Sequence, residues 1–126
     1  MIKRILVTGG RGFIGRTFVS YLLEKGYKVF SYDRDVTKEF EFDGRVDIVC
    51  HFAAKTSLRY CDKNPEEALR INFNGTVNAL NFAKKKRAKI IFPSTAAVYG
   101  VAKEKISENV SPKPGNIYGL SKYLAE

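Results

Sequence analysis

The stretch that decides the fold is Ile2-Lys3-Arg4-Ile5-Leu6-Val7-Thr8-Gly9-Gly10-Arg11-Gly12-Phe13-Ile14-Gly15. Its first half is apolar and β-branched and ends at glycine, the pattern of a short buried strand. Apolar residues then recur at Phe13, Ile14, Phe18, Tyr21 and Leu22, and Lys25-Gly26 closes the run. That is a helix with a glycine stop. Between strand and helix, Gly9, Gly12 and Gly15 follow a GxxGxxG spacing. The first glycine allows a tight turn, the second lets backbone approach a pyrophosphate, and the third lets the helix pack close to the strand. The helix N-terminus adds free N–H groups and a positive dipole end. The loop is therefore a candidate dinucleotide cradle, with Gly9, Gly12, Phe13, Ile14 and Gly15 as cofactor contacts.

The next segment supports that reading. Tyr27 to Tyr32 reads as a second strand, and Asp33 stands at its end, 18 residues past Gly15. A carboxylate there can accept hydrogen bonds from both adenosine ribose hydroxyls and repels a 2′-phosphate, which favours NAD. Arg11 and Arg34 pull the other way, because a guanidinium suits a 2′-phosphate. NAD is the cofactor expected, with NADP as the alternative. Asp43 is a further candidate neighbour of the adenine.

Outward from the loop, Val46 to Phe52 and Lys89 to Phe92 read as two more buried strands. Asn64-Pro65 opens a long helix, a cap residue followed by proline at the first helical position. Its apolar positions Ala68, Leu69, Ile71, Val77, Leu80 and Phe82 suggest burial on more than one face. Residues 100–115 read as a loop, and Tyr118 to Glu126 as the start of another helix. Strands alternating with helices predict an α/β fold, a Rossmann-type doubly wound parallel sheet. One segment departs from that layout. Only 12 residues, 34–45, separate Asp33 from Val46. They must cross about 10 Å sideways, at ~4.8 Å per strand, and return the length of the sheet. A short helix or an irregular crossing at 36–42 is expected in place of the usual third strand and helix.

Bulk properties narrow the function. The 126 residues suit one domain, and 44% hydrophobic residues are ordinary for a globular protein. No run approaches the roughly 18 apolar residues of a membrane span, and no signal peptide is evident. A cytoplasmic protein is expected. Cys50 and Cys61 make neither a disulfide framework nor a zinc cluster, so both are expected reduced. The net charge of +9 is densest at Lys84-Lys85-Lys86-Arg87. That run ends a helix, where cations suit the dipole, and no aromatics interleave with it as nucleic-acid binding would want.

Tyr118-Gly119-Leu120-Ser121-Lys122 is a YxxxK spacing. Residues four apart share a helix face, and an ammonium beside a phenol favours the phenolate. Such a phenol can move the proton of a sugar hydroxyl while hydride leaves or returns at the same carbon. Ser94-Thr95 puts hydroxyls at the carboxyl end of a strand, where ligands of such sheets bind.

Taken in order, TGGRGFIG (8–15), Asp33, HFAA (51–54), NFNGT (72–76), FPSTAAVYG (92–100) and YGLSK (118–122) resemble the extended short-chain dehydrogenase/reductases along the whole chain. The resemblance implies that Thr95, Tyr118 and Lys122 are catalytic, Tyr118 as acid/base. It implies that Phe52, Ala53 and Ala54 line the cofactor cleft, that Lys122 also holds the nicotinamide ribose beside Tyr118, and that Asn72 steadies the site. His51 reads as a strand-end residue only. Similar nucleotide-sugar 4,6-dehydratases carry an acidic pair directly after the Ser/Thr, whereas this chain has Ala96-Ala97, which cannot protonate a leaving hydroxyl. Ser-Thr-Ala-Ala-Val-Tyr-Gly instead looks like the UDP-glucose 4-epimerases. An NAD-dependent epimerase acting on a nucleotide-sugar is expected. A reductase or dehydratase of the same family, or a non-catalytic dinucleotide-binding module, stays open. Residues 1–126 then form the NAD(P)-binding Rossmann domain, truncated before a C-terminal substrate domain, and by themselves are expected to be inactive. A homodimer through the long helix at 65–86 is compatible with the resemblance; nucleic acid, metal and membrane are not expected as partners.

Overall fold

The structure is a computed structural model that describes every residue except Lys103. Four parallel strands form one sheet in the order β2-β1-β3-β4: β1 Arg4–Thr8, β2 Lys28–Tyr32, β3 Ile48–His51 and β4 Lys89–Ile91. Side chains alternate across a strand. Ile5, Val7 and Cys50 therefore share one face, where they pack with Leu22 and Phe18 of α1 (Phe13–Glu24). Leu6 and Val49 point to the other face and are fully buried too. Both faces being apolar is what a parallel sheet requires. Helix α1 contacts β1 and β2, and α4 (Gly75–Lys86) contacts β3 and β4. Helix α1 stops as expected: Gly26 takes φ +79°, and the N–H of Tyr27 donates to the Leu22 carbonyl at 3.0 Å.

Between β2 and β3 lies an irregular crossing with no strand or helix among its residues, so the short 34–45 connection is confirmed. Aromatic stacking takes over the packing. Phe40 stacks on Tyr32 with centroids 4.5 Å apart and meets Phe82 of α4 at 5.6 Å. Phe42 lies 4.9 Å from Phe30. Asn78 donates to the Val36 carbonyl at 2.9 Å and fixes the crossing to α4.

The remaining elements are α2 (Leu58–Lys63), α3 (Pro65–Leu69), a π-helical turn (Arg70–Asn74), a 3₁₀ turn (Ala96–Tyr99) and α5 (Ile117–Ala125). The chain divides into two compact units, one of residues 1–53 and 74–93 and one of residues 54–73 and 94–126.

Three local expectations need correction. The long helix beginning at Pro65 contains a π turn at Arg70–Asn74. Its cap residue Asn64 makes no forward side-chain bond, because its Nδ2 donates back to the Tyr60 carbonyl of the unforeseen helix α2. Val77 and Leu80 are 37% and 44% exposed, so α4 is buried on one stripe, through Thr76, Ala79, Phe82 and Ala83. Among the described residues, no helix is long and apolar enough to cross a membrane.

Candidate functional site

The first unit holds the glycine loop. Gly9 has φ +66°, and a Cβ added there would lie 2.8 Å from the Ala53 nitrogen. At Gly15 an added Cβ would stand 2.0 Å from the Gly9 carbonyl oxygen. Helix α1 can therefore start only where residue 15 has no side chain. The Gly12 N–H donates to the Gly9 oxygen at 3.0 Å, closing the turn. No side chain caps α1, so its first-turn N–H groups, at Phe13, Ile14 and Gly15, face outward as an anion site. Phe13 and Ile14 are 84% and 61% exposed beside them. This backbone cradle fits a dinucleotide pyrophosphate.

Thr8 and His51, at the ends of β1 and β3, were not foreseen as a pair. The Thr8 hydroxyl accepts the Ala53 N–H at 3.1 Å and shares a hydrogen bond with His51 Nδ1 at 2.7 Å. The latch fixes Phe52 and Ala53, two of the residues expected at the cleft, beside Gly9. Asp33 accepts from the Ser31 hydroxyl at 3.0 Å and pairs with Arg11 Nε at 3.2 Å. Arg34 is turned to Glu41, 2.9 Å away. Cys50 is buried, and burial pushes its thiol up to about 11. It is chemically quiet.

The second unit holds Ala54, Asn72, Thr95, Tyr118 and Lys122. Helix α5 begins at Asn116, whose Oδ1 accepts the Gly119 N–H at 2.7 Å, and the Ile117 N–H donates to Asp62 of α2 at 3.0 Å. One residue past Tyr118, an added Cβ at Gly119 would stand 2.5 Å from the Ala97 oxygen. The tyrosine helix therefore abuts the turn that starts at Thr95. The Thr95 hydroxyl accepts the Ala97 N–H at 3.2 Å, leaving its proton to donate. Ser94 bonds the Glu126 carboxylate.

Asn72 organises the middle of this unit. Its Oδ1 accepts the Lys55 N–H at 2.7 Å, and its Nδ2 donates to the Lys55 carbonyl and to Ser121 Oγ, both at 2.9 Å. Ser121 in turn donates to the Tyr118 carbonyl at 2.8 Å. The π turn widens the helix at Asn72, where it presents this amide. Lys122 is 5% exposed, and burial lowers its ammonium to about 8 while Glu126 opposes the shift. Ser121 was not singled out in the sequence; its place inside YxxxK, on the side facing Asn72, is the only signal. Among the described residues no group of three or more His, Cys, Asp or Glu could hold a metal.

A parallel sheet with a glycine loop at the end of its first strand, together with a Thr, Tyr and Lys set, defines a dinucleotide-dependent short-chain dehydrogenase class. The chain belongs to the NAD dependent epimerase/dehydratase family, whose model matches residues 5–126. A similar curated protein is the UDP-N-acetyl-alpha-D-glucosaminuronate decarboxylase of Bacillus cytotoxicus, 31% identical, with 75% of this chain and 37% of that protein covered. A UDP-galactose 4-epimerase crystal structure is 30% identical with a TM-score of 0.90, covering 98% of this chain and 49% of its own. A dTDP-4-dehydrorhamnose reductase from Bacillus anthracis, in complex with NADP, is 29% identical with a TM-score of 0.89, covering 99% and 48%. The chain thus spans about a third of the first curated relative's length and about half of these solved chains.

Proposed function

We propose that this chain is the NAD-binding portion of a nucleotide-sugar 4-epimerase. The observation that carries the reading is the tyrosine helix abutting the Thr95-Ala96-Ala97 turn at Gly119, with Lys122 buried on the same helix. Bound on the Gly9–Gly15 loop and Asp33, NAD supplies a hydride acceptor and donor. Tyr118 takes the proton of the sugar C4 hydroxyl as its hydride leaves, and gives it back when hydride returns to the other face. The Thr95 hydroxyl donates to the reacting oxygen. Lys122 lies one turn from Tyr118 on α5, placed to hold the nicotinamide ribose beside it. Ser121, itself held by Asn72, bonds the Tyr118 carbonyl and with it the first turn of α5. Two alanines after Thr95 offer no proton to a leaving hydroxyl, which supports epimerisation over dehydration. Reduction of a keto-sugar is the second reading, favoured by Arg11 beside Asp33, which suits NADPH. A homodimer through α4 is supported by its exposed Val77 and Leu80.

Titration of the chain with NADH and with NADPH, followed by nicotinamide fluorescence, tests the cofactor reading. Saturable NADH binding weakened by Asp33→Ala is expected; no binding of either cofactor would sink it. In a protein carrying this chain with a sugar-binding portion, conversion of UDP-galactose to UDP-glucose that is lost in Tyr118→Phe tests the reaction. Consumption of NADPH with a 4-keto sugar instead would select the reductase.

A further inference from the structure

We infer that the amino-terminal edge of the sheet docks this chain on an anionic lipid bilayer, a property separate from the proposed reaction. Parallel strands set all their amino ends along one edge, and each crossover helix returns its carboxyl end to that edge. Here the edge is basic, and all of it lies in the first unit. Backbone bonds tie the row together. The Lys28 N–H donates to the Lys3 carbonyl at 3.1 Å, the Asp47 N–H to the Arg4 carbonyl at 2.8 Å, and the Lys89 N–H to the Asp47 carbonyl at 3.0 Å. Lys25 follows the end of α1, and Arg87 follows the end of α4. Lys3, Lys25, Lys28, Arg87 and Lys89 are all exposed, and among the described residues none of them carries an ion pair. Nearby acids are engaged elsewhere. Asp47 accepts the Arg4 N–H at 2.8 Å and pairs with Arg45 at 3.0 Å. Glu39, Glu41 and Asp43 line a groove with Lys85 and Lys86. Glu24, at the end of α1, is an exposed acid beside the row.

Charge alone would suit any polyanion. What the cations surround selects the bilayer. Met1, Ile2, Leu23 and Tyr27 line one hollow together with Arg4 and Lys28. Met1, Ile2 and Leu23 are 99%, 65% and 55% exposed. Aliphatic side chains standing among lysines on long stems match the boundary between headgroups and acyl chains. Nucleic acid would want aromatic platforms for stacking instead. Clustered cations are drawn to anionic headgroups, and surface docking needs no spanning helix. The glycine loop leaves the other end of β1 (Arg4–Thr8), about 13 Å along the strand at ~3.3 Å per residue. Docking by the amino-terminal edge therefore leaves the dinucleotide cradle open to solvent.

The test is co-sedimentation of the chain with vesicles of phosphatidylcholine alone and of phosphatidylcholine mixed with phosphatidylglycerol. The chain should sediment with the anionic vesicles only at about 0.1 M salt, and should be released as screening grows toward about 0.5 M. Lys3→Gln/Lys28→Gln/Lys89→Gln should lower partitioning about a hundredfold, at about fivefold per cation. Ile2→Ser/Leu23→Ser should lower it at least about tenfold. Arg59→Gln/Lys63→Gln removes exposed cations of α2 in the second unit and should leave partitioning within about twofold of wild type. All these side chains are exposed, and circular dichroism melts check that each variant folds. No sedimentation with the anionic vesicles overturns the inference. So does a loss in the α2 control equal to that of the triple variant. A loss with the lysines but none with Ile2→Ser/Leu23→Ser overturns the bilayer as occupant and assigns the edge to a soluble polyanion. None of these outcomes bears on the dinucleotide reading.

Discussion

The glycine loop and the tyrosine helix carry the candidate chemistry by opposite means. The loop is made of backbone. Its geometry rests on missing side chains at Gly9 and Gly15 and on N–H groups that no side chain caps. The tyrosine helix is held by side chains: Asn72 and Ser121 bond the Lys55 backbone and the Tyr118 carbonyl. A backbone site tolerates no added atom, whereas a side-chain site tolerates no unpaired one. The two should fail differently when altered.

The largest effect is expected at Gly15. Replacing it with alanine sets a methyl carbon 2.0 Å from a carbonyl oxygen, backbone against helix, with no flexible neighbour to yield. The expected loss is about 3 kcal/mol, at the upper end of overpacking costs. Thermal unfolding of Gly15→Ala measures it, and a melting temperature equal to wild type would show that the loop adjusts freely. Asn72→Ala comes next. It strands the Lys55 N–H and carbonyl and one partner of Ser121, so about 2 kcal/mol should be lost. Asn72→Asp keeps the shape but cannot donate, and should recover only the Lys55 N–H bond. Equal stability of both variants with wild type would mean that the amide is not a clamp.

Legibility in the sequence divides along the same line. The loop could be read from spacing because Gly9 and Gly15 answer steric demands that no other residue meets. The shortened crossing could be read from chain length, since 12 residues cannot build a strand and return. The aromatic stack that replaced the strand could not, because Phe40 and Phe42 in an irregular segment have no periodicity. Tyr118, Lys122 and Thr95 were found through their resemblance to a family, and Asn72 likewise. What Asn72 bonds was hidden, because its partners, Lys55 and Ser121, lie 17 and 49 residues away. Helix α2 was missed as a short polar stretch, although Ser57 caps it by accepting the Tyr60 N–H at 3.2 Å. The Thr8–His51 latch joins two strand ends 43 residues apart and leaves no local pattern.

Lys122 offers a pH-dependent contrast with the backbone N–H groups of the loop, which do not titrate. Burial brings its folded value down to about 8 from 10.5. The unfolded chain therefore binds more protons between these values, and stability rises with pH through that window. Below about pH 8 the buried ammonium is a full cost; by about pH 10.5 it has gone. Lys122→Met should be more stable than wild type near pH 7 by about 2 kcal/mol, less than the shift implies because a buried charge relaxes its surroundings. The advantage should shrink as pH rises from 8 to 10.5. Chemical denaturation at stepped pH reads the difference, and a gap independent of pH would assign the effect to packing alone.

The smallest effect sharpens the comparison on the backbone side. Helix α1 ends at Gly26 with φ +79°, whereas α4 ends at Arg87 with φ +54°. Both ends close by the same device. In α4 the Ala88 N–H donates to the Ala83 carbonyl at 2.8 Å and the Arg87 N–H to Lys84 at 3.1 Å. Only glycine adopts that conformation without a Cβ penalty, so Arg87→Gly should relieve strain. Against this, glycine adds freedom to the unfolded chain and removes a cation from the negative end of the helix dipole. Strain relief outweighs these terms, and a net gain of about 0.5 kcal/mol is expected. Arg87→Ala separates the contributions. It loses the charge and keeps the strain, so it should fall below wild type while Arg87→Gly rises above it. If both variants fell together, charge at the helix end rather than backbone strain would govern this terminus.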